Sequence, residues 1–252
     1  MKNLTLLTIV SLLLFMTSCK KDAVEPSCEN SRVCINAKLL YGGQPLALFS
    51  DVDYPQGFKI KVTRADFMLS KLKFSGTTDA LIYKDSAVLV SFTETDPIKA
   101  KDGLNIIFDD CKGNFNNLTM GIGVDSLLNS KKPSDFASQD ILSNAFYYWD
   151  AWKSYIFLKI EGKYDADGDG NFEGTFVYHI GTDPLYKILN LPLSFNAVSG
   201  KNNTIVVNFD VKKILANGSD FVDMIKYPTS HNPGDLAIAG KIFDNLPTAI
   251  GL

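Results

Sequence analysis

Histidine is scarce in this chain: only two residues, His179 and His231, occur among 252. A Ser/His/Asp triad could therefore use only one of these two histidines, and the GxSxG, HExxH and P-loop motifs are absent. We predict that the protein is not an enzyme. Basic clusters are also lacking, with a formal net charge of -3 and a pI near 5.4, which excludes nucleic acid as a partner because phosphate binding needs a basic surface.

Cysteine is limited to four residues, and none has the paired CxxC spacing of a zinc site. Apart from Cys19, the chain contains Cys28, Cys34 and Cys111, an odd number for an oxidising compartment. All three are disulfide candidates. Cys28 and Cys34 are close enough in sequence for a local bridge, whereas Cys111 can equally pair with Cys34 across a sheet, and one thiol can stay free.

Long hydrophobic runs are missing except at the N-terminus, where an apolar stretch is too short for a membrane span of roughly 20 residues. Residues 1–18 read as a signal peptide, and the small residues before Cys19 indicate lipidation at that cysteine. We expect residues 19–33 to be the lipidated cysteine and a flexible tether. The membrane is then a partner through the lipid anchor, and the protein lies in the bacterial cell envelope, at a periplasmic or outer-membrane surface.

Short strand patterns dominate the rest of the chain, and no βαβ rhythm interrupts them. They predict an all-β fold, an antiparallel β-sandwich with a few short helices and long loops, over residues 34–252. Predicted strands are at 58–63, 67–74, 87–92, 104–108, 155–160, 172–180 and 204–209. Predicted helices are at 124–128, 184–189 and 211–215, and the tail from Tyr227 to Leu252 is predicted as loop.

The most distinctive local motif is the acidic segment DADGDGNFE. Its alternate oxygen-bearing side chains and the glycine at 170 resemble the first half of a calcium loop. The candidate calcium ligands are Asp165, Asp167, Asp169, Asn171 and Glu173. Phe176 stands where an EF-hand has its final glutamate, so this is not an EF-hand. The alternative is a solvated Asp/Gly hairpin turn.

Both tryptophans, Trp149 and Trp152, lie shortly before the strand that enters this turn. A hairpin centred near Asp167 places Ser154 roughly opposite His179, so we expect His179 beside the tryptophans. The aromatic segment then forms a redox or metal pocket with His179, or it packs the end of the sandwich core.

The segments YYWDAWKSYIFLKIEG and FVYHIG together resemble the MbnP-like domain, a family of periplasmic proteins named after the copper protein of the methanobactin operon. VTRADFMLSKLKF and MGIGVDSLLN are also similar, and the likeness runs from about Val33 to Phe243. The positions that match the family pattern are Trp149, Tyr155, Glu161, Gly162 and His179. The sequence departs from it at Ala151, where the family has a second tryptophan, and at Ser154, where it has glycine.

The resemblance implies a secreted copper-binding β-sandwich whose relatives can act with a di-haem cytochrome c peroxidase-like partner that oxidises a tryptophan to kynurenine. Trp149 is then the candidate for oxidation. The candidate copper ligands are His179, which matches the family histidine, and His231, which lies in a Pro/Gly loop of the kind that often carries functional groups. Imidazole suits copper, although two imidazoles require a further donor. The alternative function is a non-catalytic cell-surface module that binds a protein or a glycan without a transition metal.

Overall fold

The computed structural model describes residues 32–76, 80–82, 86–108, 113–198, 203–231 and 236–252. The predicted signal peptide, the predicted lipidation site Cys19 and nearly all of the predicted tether lie outside the described residues, as do Cys28 and Cys111. Cys34 is disulfide-bonded. Within the described ranges, no helix is long and apolar enough to cross a membrane.

Strands account for most of the regular structure. They are β1 Val33–Tyr41, β2 Gln44–Pro45, β3 Asp51–Asp53, β4 Lys59–Ser75, β5 Ala80–Ile82, β6 Val88–Phe92, β7 Leu104–Phe108, β8 Gly113–Ile122, β9 Tyr148–Trp149, β10 Ser154–Asp165, β11 Gly174–Gly181, β12 Lys187–Ala197, β13 Asn203–Asp210, β14 Ala216–Asn217, β15 Asp220–Phe221, β16 Thr229–Ser230 and β17 Ile250–Gly251. The α-helices are α1 Ser126–Asn129, α2 Val211–Leu215 and α3 Leu236–Ala249, and 3-10 turns occur at Pro133–Asp135, Ile141–Ser143, Ala145–Tyr147 and Asp183–Leu185.

Two sheets contain most of these strands. The larger has the order β12-β8-β4-β10-β11-β16, with β3, β5 and β6 also paired to β4. The smaller has the order β17-β13-β1-β2, with β7 also paired to β1. The long strand β4 organises the larger sheet, because its backbone pairs with β3, β5, β6, β8 and β10, and its middle part, residues 65–70, is buried on both faces.

Aromatic side chains join the two sheets face to face. Phe67 on β4 lies 4.8 Å from Phe209 on β13, and Phe74 on β4 lies 5.3 Å from Phe108 on β7, measured between ring centroids. All four rings are buried. Such pairs stabilise a core beyond the area they bury. The predicted all-β sandwich is therefore confirmed, and its interior lies between β4 and the smaller sheet.

Not every strand pairing is antiparallel. β1 pairs with β13 in parallel, and so does β11 with β16. Both pairs join segments that are far apart in the chain, where no tight hairpin forces the antiparallel direction. The expectation of an antiparallel sandwich is correct for most strands and wrong for these two pairs.

The predicted short helices are only partly correct. α1 overlaps the helix predicted at 124–128, and α2 begins after Asp210, whose carboxylate accepts from the backbone N–H of Lys213 as a helix cap. The helix predicted at 184–189 is wrong: after one 3-10 turn the chain enters β12, whose burial alternates along its length and which pairs with β8.

The C-terminal segment also differs from its prediction as loop, because α3 fills residues Leu236–Ala249. Ala239, Ile242, Phe243 and Leu246 recur at helical spacing and are buried. Pro247 lies in the last turn, so it interrupts little of the helix.

Candidate functional site

A tight turn stacks the two tryptophans on each other. Trp149 in β9 pairs with Ser154 at the start of β10, and the backbone N–H of Trp152 donates to the Trp149 carbonyl at 3.0 Å. Lys153 adopts φ 51°, which closes the turn. The indole centroids are 4.3 Å apart with the rings inclined by 25°, and both side chains are half-buried. The turn thus places one indole face over the other at the entrance to β10.

His179 lies beside this stack, as expected, with its ring centroid 6.1 Å from that of Trp149. The predicted register is wrong, however, because His179 pairs with Lys159 rather than with Ser154. The acidic loop is not centred on Asp167: β10 continues to Asp165, and β11 begins only at Gly174. A bulge between Ile156 and Leu158 changes the register again, on the side of the Lys159–His179 pair that is away from the acidic turn.

His231 reaches the same place through a parallel pairing. Val177 pairs with Thr229 and Tyr178 with Ser230, so the next residues along the two segments are His179 and His231. Equivalent positions of paired strands point to the same side of a sheet. The ring centroids of the two histidines are 5.9 Å apart, and that of His231 is 5.7 Å from Trp149. The three rings form a nearly equilateral triangle, which we call the His/Trp triangle.

One polar atom of this triangle has no partner. Nδ1 of His231 is buried and makes no hydrogen bond within the described part of the protein. An unsatisfied buried polar group costs about 1–3 kcal/mol, and such atoms are rare in folded proteins. The atom is therefore a candidate ligand atom or the binding site of an ordered water.

The other imidazole is held by a carboxylate. Nε2 of His179 is 2.7 Å from Oε1 of Glu161, and Nε of Arg64 is 3.2 Å from the same oxygen. Burial lowers the pKa of His179 below its ordinary value of 6.5, against the opposing effect of the Glu161 hydrogen bond. The ring is thus neutral near pH 7, and neutral imidazole is the form that binds metals.

A row of polar residues continues under the triangle across three strands. Lys159 on β10 pairs with His179 on one side and with Asp66 of β4 on the other, and both Lys159 and Asp66 are 2% exposed. Asp66 accepts from Arg64 at 3.0 Å and from the hydroxyl of Tyr147 at 3.0 Å. Burial lowers the pKa of Lys159 to about 8. Its ammonium donates to a backbone carbonyl at 3.0 Å and lies 3.5 Å from an aromatic ring, both belonging to Phe146.

The site was not predicted from the sequence to include Lys159, Arg64 or Asp66. A signal exists for Lys159, since it stands alone in the apolar run YIFLKI, where a charge needs a partner. Arg64 and Asp66 are two apart on one strand and so share a face. Nothing local indicates which face is turned towards the tryptophans.

The acidic turn forms a second cluster at the far end of β10. Four carboxylates converge here, each with one oxygen within 4.8 Å of the others: Asp165, Asp167, Asp169 and Glu173. Among the described residues, this is the group of three or more His, Cys, Asp or Glu side chains close enough together to hold a metal ion. Asp165 is buried and the other three are exposed. The side-chain amide N–H of Asn171 donates to the Asp169 carboxylate at 2.8 Å.

Asp165 holds the backbone of this turn in place. Its two carboxylate oxygens accept from the N–H groups of Gly168 at 2.8 Å and Gly170 at 2.9 Å. Both glycines have positive φ, 78° and 90°, a conformation that side chains disfavour. Hydrogen bonds from Asn171 lower the pKa of Asp169, so this carboxylate stays ionised in mildly acidic solution.

Comparison with known proteins identifies the family. A family model described as MbnP matches residues 30–232, a range that contains the His/Trp triangle and the acidic turn. The chain belongs to the MbnP family. The resemblance expected from the aromatic and histidine motifs is thereby confirmed.

Among solved structures, MbnP from Methylosinus trichosporium is similar to this chain at 14% sequence identity and a TM-score of 0.47. The match covers 77% of this chain and 80% of the other. No curated protein matches the chain.

Proposed function

We propose that this MbnP family member is a lipid-anchored, extracytoplasmic metal-binding protein that binds copper through His179 and His231 beside Trp149. The observation that carries the proposal is the buried, unpartnered Nδ1 of His231, on a ring whose centroid lies 5.9 Å from that of a second imidazole. A ring nitrogen that is buried without a hydrogen bond has a desolvation cost, and a cation that binds the nitrogen offsets that cost.

The spacing of the rings fits two ligands of one ion. Metal–imidazole bonds are about 2.0–2.1 Å long, so two nitrogens that share an ion lie up to about 4 Å apart. Ring centroids 5.9 Å apart permit that separation when both nitrogens point inward. The neutral state of His179 supports the same function, because no proton has to leave before a metal binds.

We further propose that Trp149 is the residue oxidised by a di-haem cytochrome c peroxidase-like partner. Support comes from its position: it is the tryptophan within 6.1 Å of one histidine ring and 5.7 Å of the other. Trp152 stacks on the Trp149 indole, and both remain half-exposed, which leaves an approach from solvent.

Calcium at the acidic turn is the third part of the proposal. Four carboxylates that converge within 4.8 Å repel one another, and a hard cation with oxygen ligands relieves that repulsion. The turn joins β10 to β11, the two strands that carry Glu161 and His179. A cation here would stabilise the hairpin, while copper binding itself would use other residues.

A copper titration of the full-length protein tests the main proposal. Cu(I) should bind wild type at one ion per chain, and His179→Ala and His231→Ala should each abolish that stoichiometric uptake. Asp167→Ala is the matched control, because it removes a metal-ligating side chain from the acidic turn and leaves the triangle intact. Unchanged copper uptake in both histidine variants would refute the assignment and favour the alternative, a surface module that binds a protein or a glycan.

A further inference from the structure

Glu161 is the only carboxylate that contacts the imidazole of His179 among the described residues. Its Oε1 lies 2.7 Å from Nε2 of that ring and 3.2 Å from Nε of Arg64. The Arg64 guanidinium also reaches Asp66 through a second nitrogen at 3.0 Å, so it is anchored at two points. A planar guanidinium held in this way fixes the orientation of the carboxylate that it contacts.

The chemistry of this contact assigns the proton on the ring. An ionised carboxylate paired with arginine has acceptor oxygens only, so the imidazole nitrogen that faces it must be the donor. A neutral imidazole has one N–H and one lone pair. If Nε2 carries the proton, then Nδ1 carries the lone pair and is the atom that can bind a metal.

We propose that Glu161, oriented by Arg64, is a positioning residue that holds His179 as its Nε2–H tautomer and presents Nδ1 to the metal. The tautomer rests on the contact with the Glu161 carboxylate, whereas the metal-binding role of Nδ1 rests on the proposed copper function. The unpartnered atom of His231 is also Nδ1, so the two rings would bind through equivalent nitrogens. Carboxylates in this position generally raise ligand basicity and restrict ring rotation.

Nitrogen NMR of the histidine rings tests the tautomer without any copper. With only two histidines in the chain, the full-length protein labelled with ¹⁵N at histidine gives two imidazoles, and His231→Phe identifies which signals belong to His179. In metal-free wild type we expect a protonated Nε2 and an unprotonated Nδ1 for His179. A protonated Nδ1 would overturn the proposal.

Two substitutions at Glu161 separate contact from charge. Glu161→Gln keeps an acceptor oxygen and should preserve the tautomer, whereas Glu161→Ala removes the acceptor and should produce averaged signals from both tautomers. Lys163→Ala, two residues along the same strand and exposed, should leave the histidine signals unchanged. Wild-type signals in Glu161→Ala would contradict a positioning role, and a thermal melt of each variant shows whether it is folded.

Adding Cu(I) then distinguishes this inference from the function on which it rests. We expect the Nδ1 signal of His179 to shift while Nε2 remains protonated, and Glu161→Ala to bind Cu(I) about 10–100-fold more weakly than wild type. A shift of Nε2 instead would overturn the proposal. If the tautomer is as expected but Cu(I) moves neither nitrogen, the copper function fails and the tautomer assignment stands.

Discussion

Replacing His231 by phenylalanine should not destabilise the copper-free protein, although it removes a residue of the proposed site. Phenylalanine keeps an aromatic ring against Trp149 and His179 and has no polar atom to leave unsatisfied. The buried Nδ1 costs about 1–3 kcal/mol, and this cost disappears in the variant. Because the histidine is only half-buried, the larger ring has room on its solvent side.

The same change at His179 should have the opposite sign. That ring makes a 2.7 Å hydrogen bond to a carboxylate, and hydrogen bonds to charged groups contribute about 1.5–3 kcal/mol. One kcal/mol shifts the melting temperature of a chain of this size by about 2–4 °C. We expect His231→Phe to raise Tm by about 2–12 °C and His179→Phe to lower it by about 3–12 °C.

The assay is thermal unfolding of both variants and wild type in copper-free buffer, followed by circular dichroism. If His231→Phe lowered Tm as much as His179→Phe, the reasoning would be refuted. Nδ1 would then have a partner that the substitution removes, such as an ordered water, and would not be the orphan on which the copper proposal rests.

Three further outcomes are expected. A calcium chelator should lower Tm of wild type, and Asp167→Ala should lower it without chelator and respond no further; a chelator effect that persists in the variant would place the ion elsewhere. Because the pKa of Lys159 is lowered to about 8, the unfolded chain binds the additional proton above that pH, so stability should rise from pH 8 towards 10, and Lys159→Met should flatten the rise in denaturant unfolding. Intact mass of protein from its native host should exceed that of the unmodified lipoprotein if Trp149 is oxidised, and an equal mass would show that it is not.

The strand pattern and the acidic turn could be predicted from the sequence, because both depend on neighbours in the chain. Short runs rich in β-branched and aromatic residues identified β7 with its observed bounds and most of β13. The spacing of Asp165, Asp167 and Asp169 is sufficient to bring their carboxylates together, since one turn contains them all. The spacing of the apolar residues in α3 favours a helix, whereas Pro228, Pro233 and Pro247 in the same C-terminal segment favour a loop, and the structure contains the helix.

The His/Trp triangle required more than local pattern. His179 follows the tryptophans within one hairpin, so its proximity was predictable even though its register was not. A hairpin register depends on where the turn is centred, and a loop with several glycines and aspartates leaves that undetermined.

Amino-acid sequence alone thus determined the β character of the chain, its family, its acidic turn and which few residues can ligate a metal. Tertiary structure alone decided that His231 lies beside His179, since 51 intervening residues separate them and only the parallel β11–β16 pairing makes them neighbours. It also decided that Arg64 and Nε2 of His179 meet at the same carboxylate oxygen of Glu161. Contacts between strands depend on register and on which face is buried, and neither is encoded in any one segment.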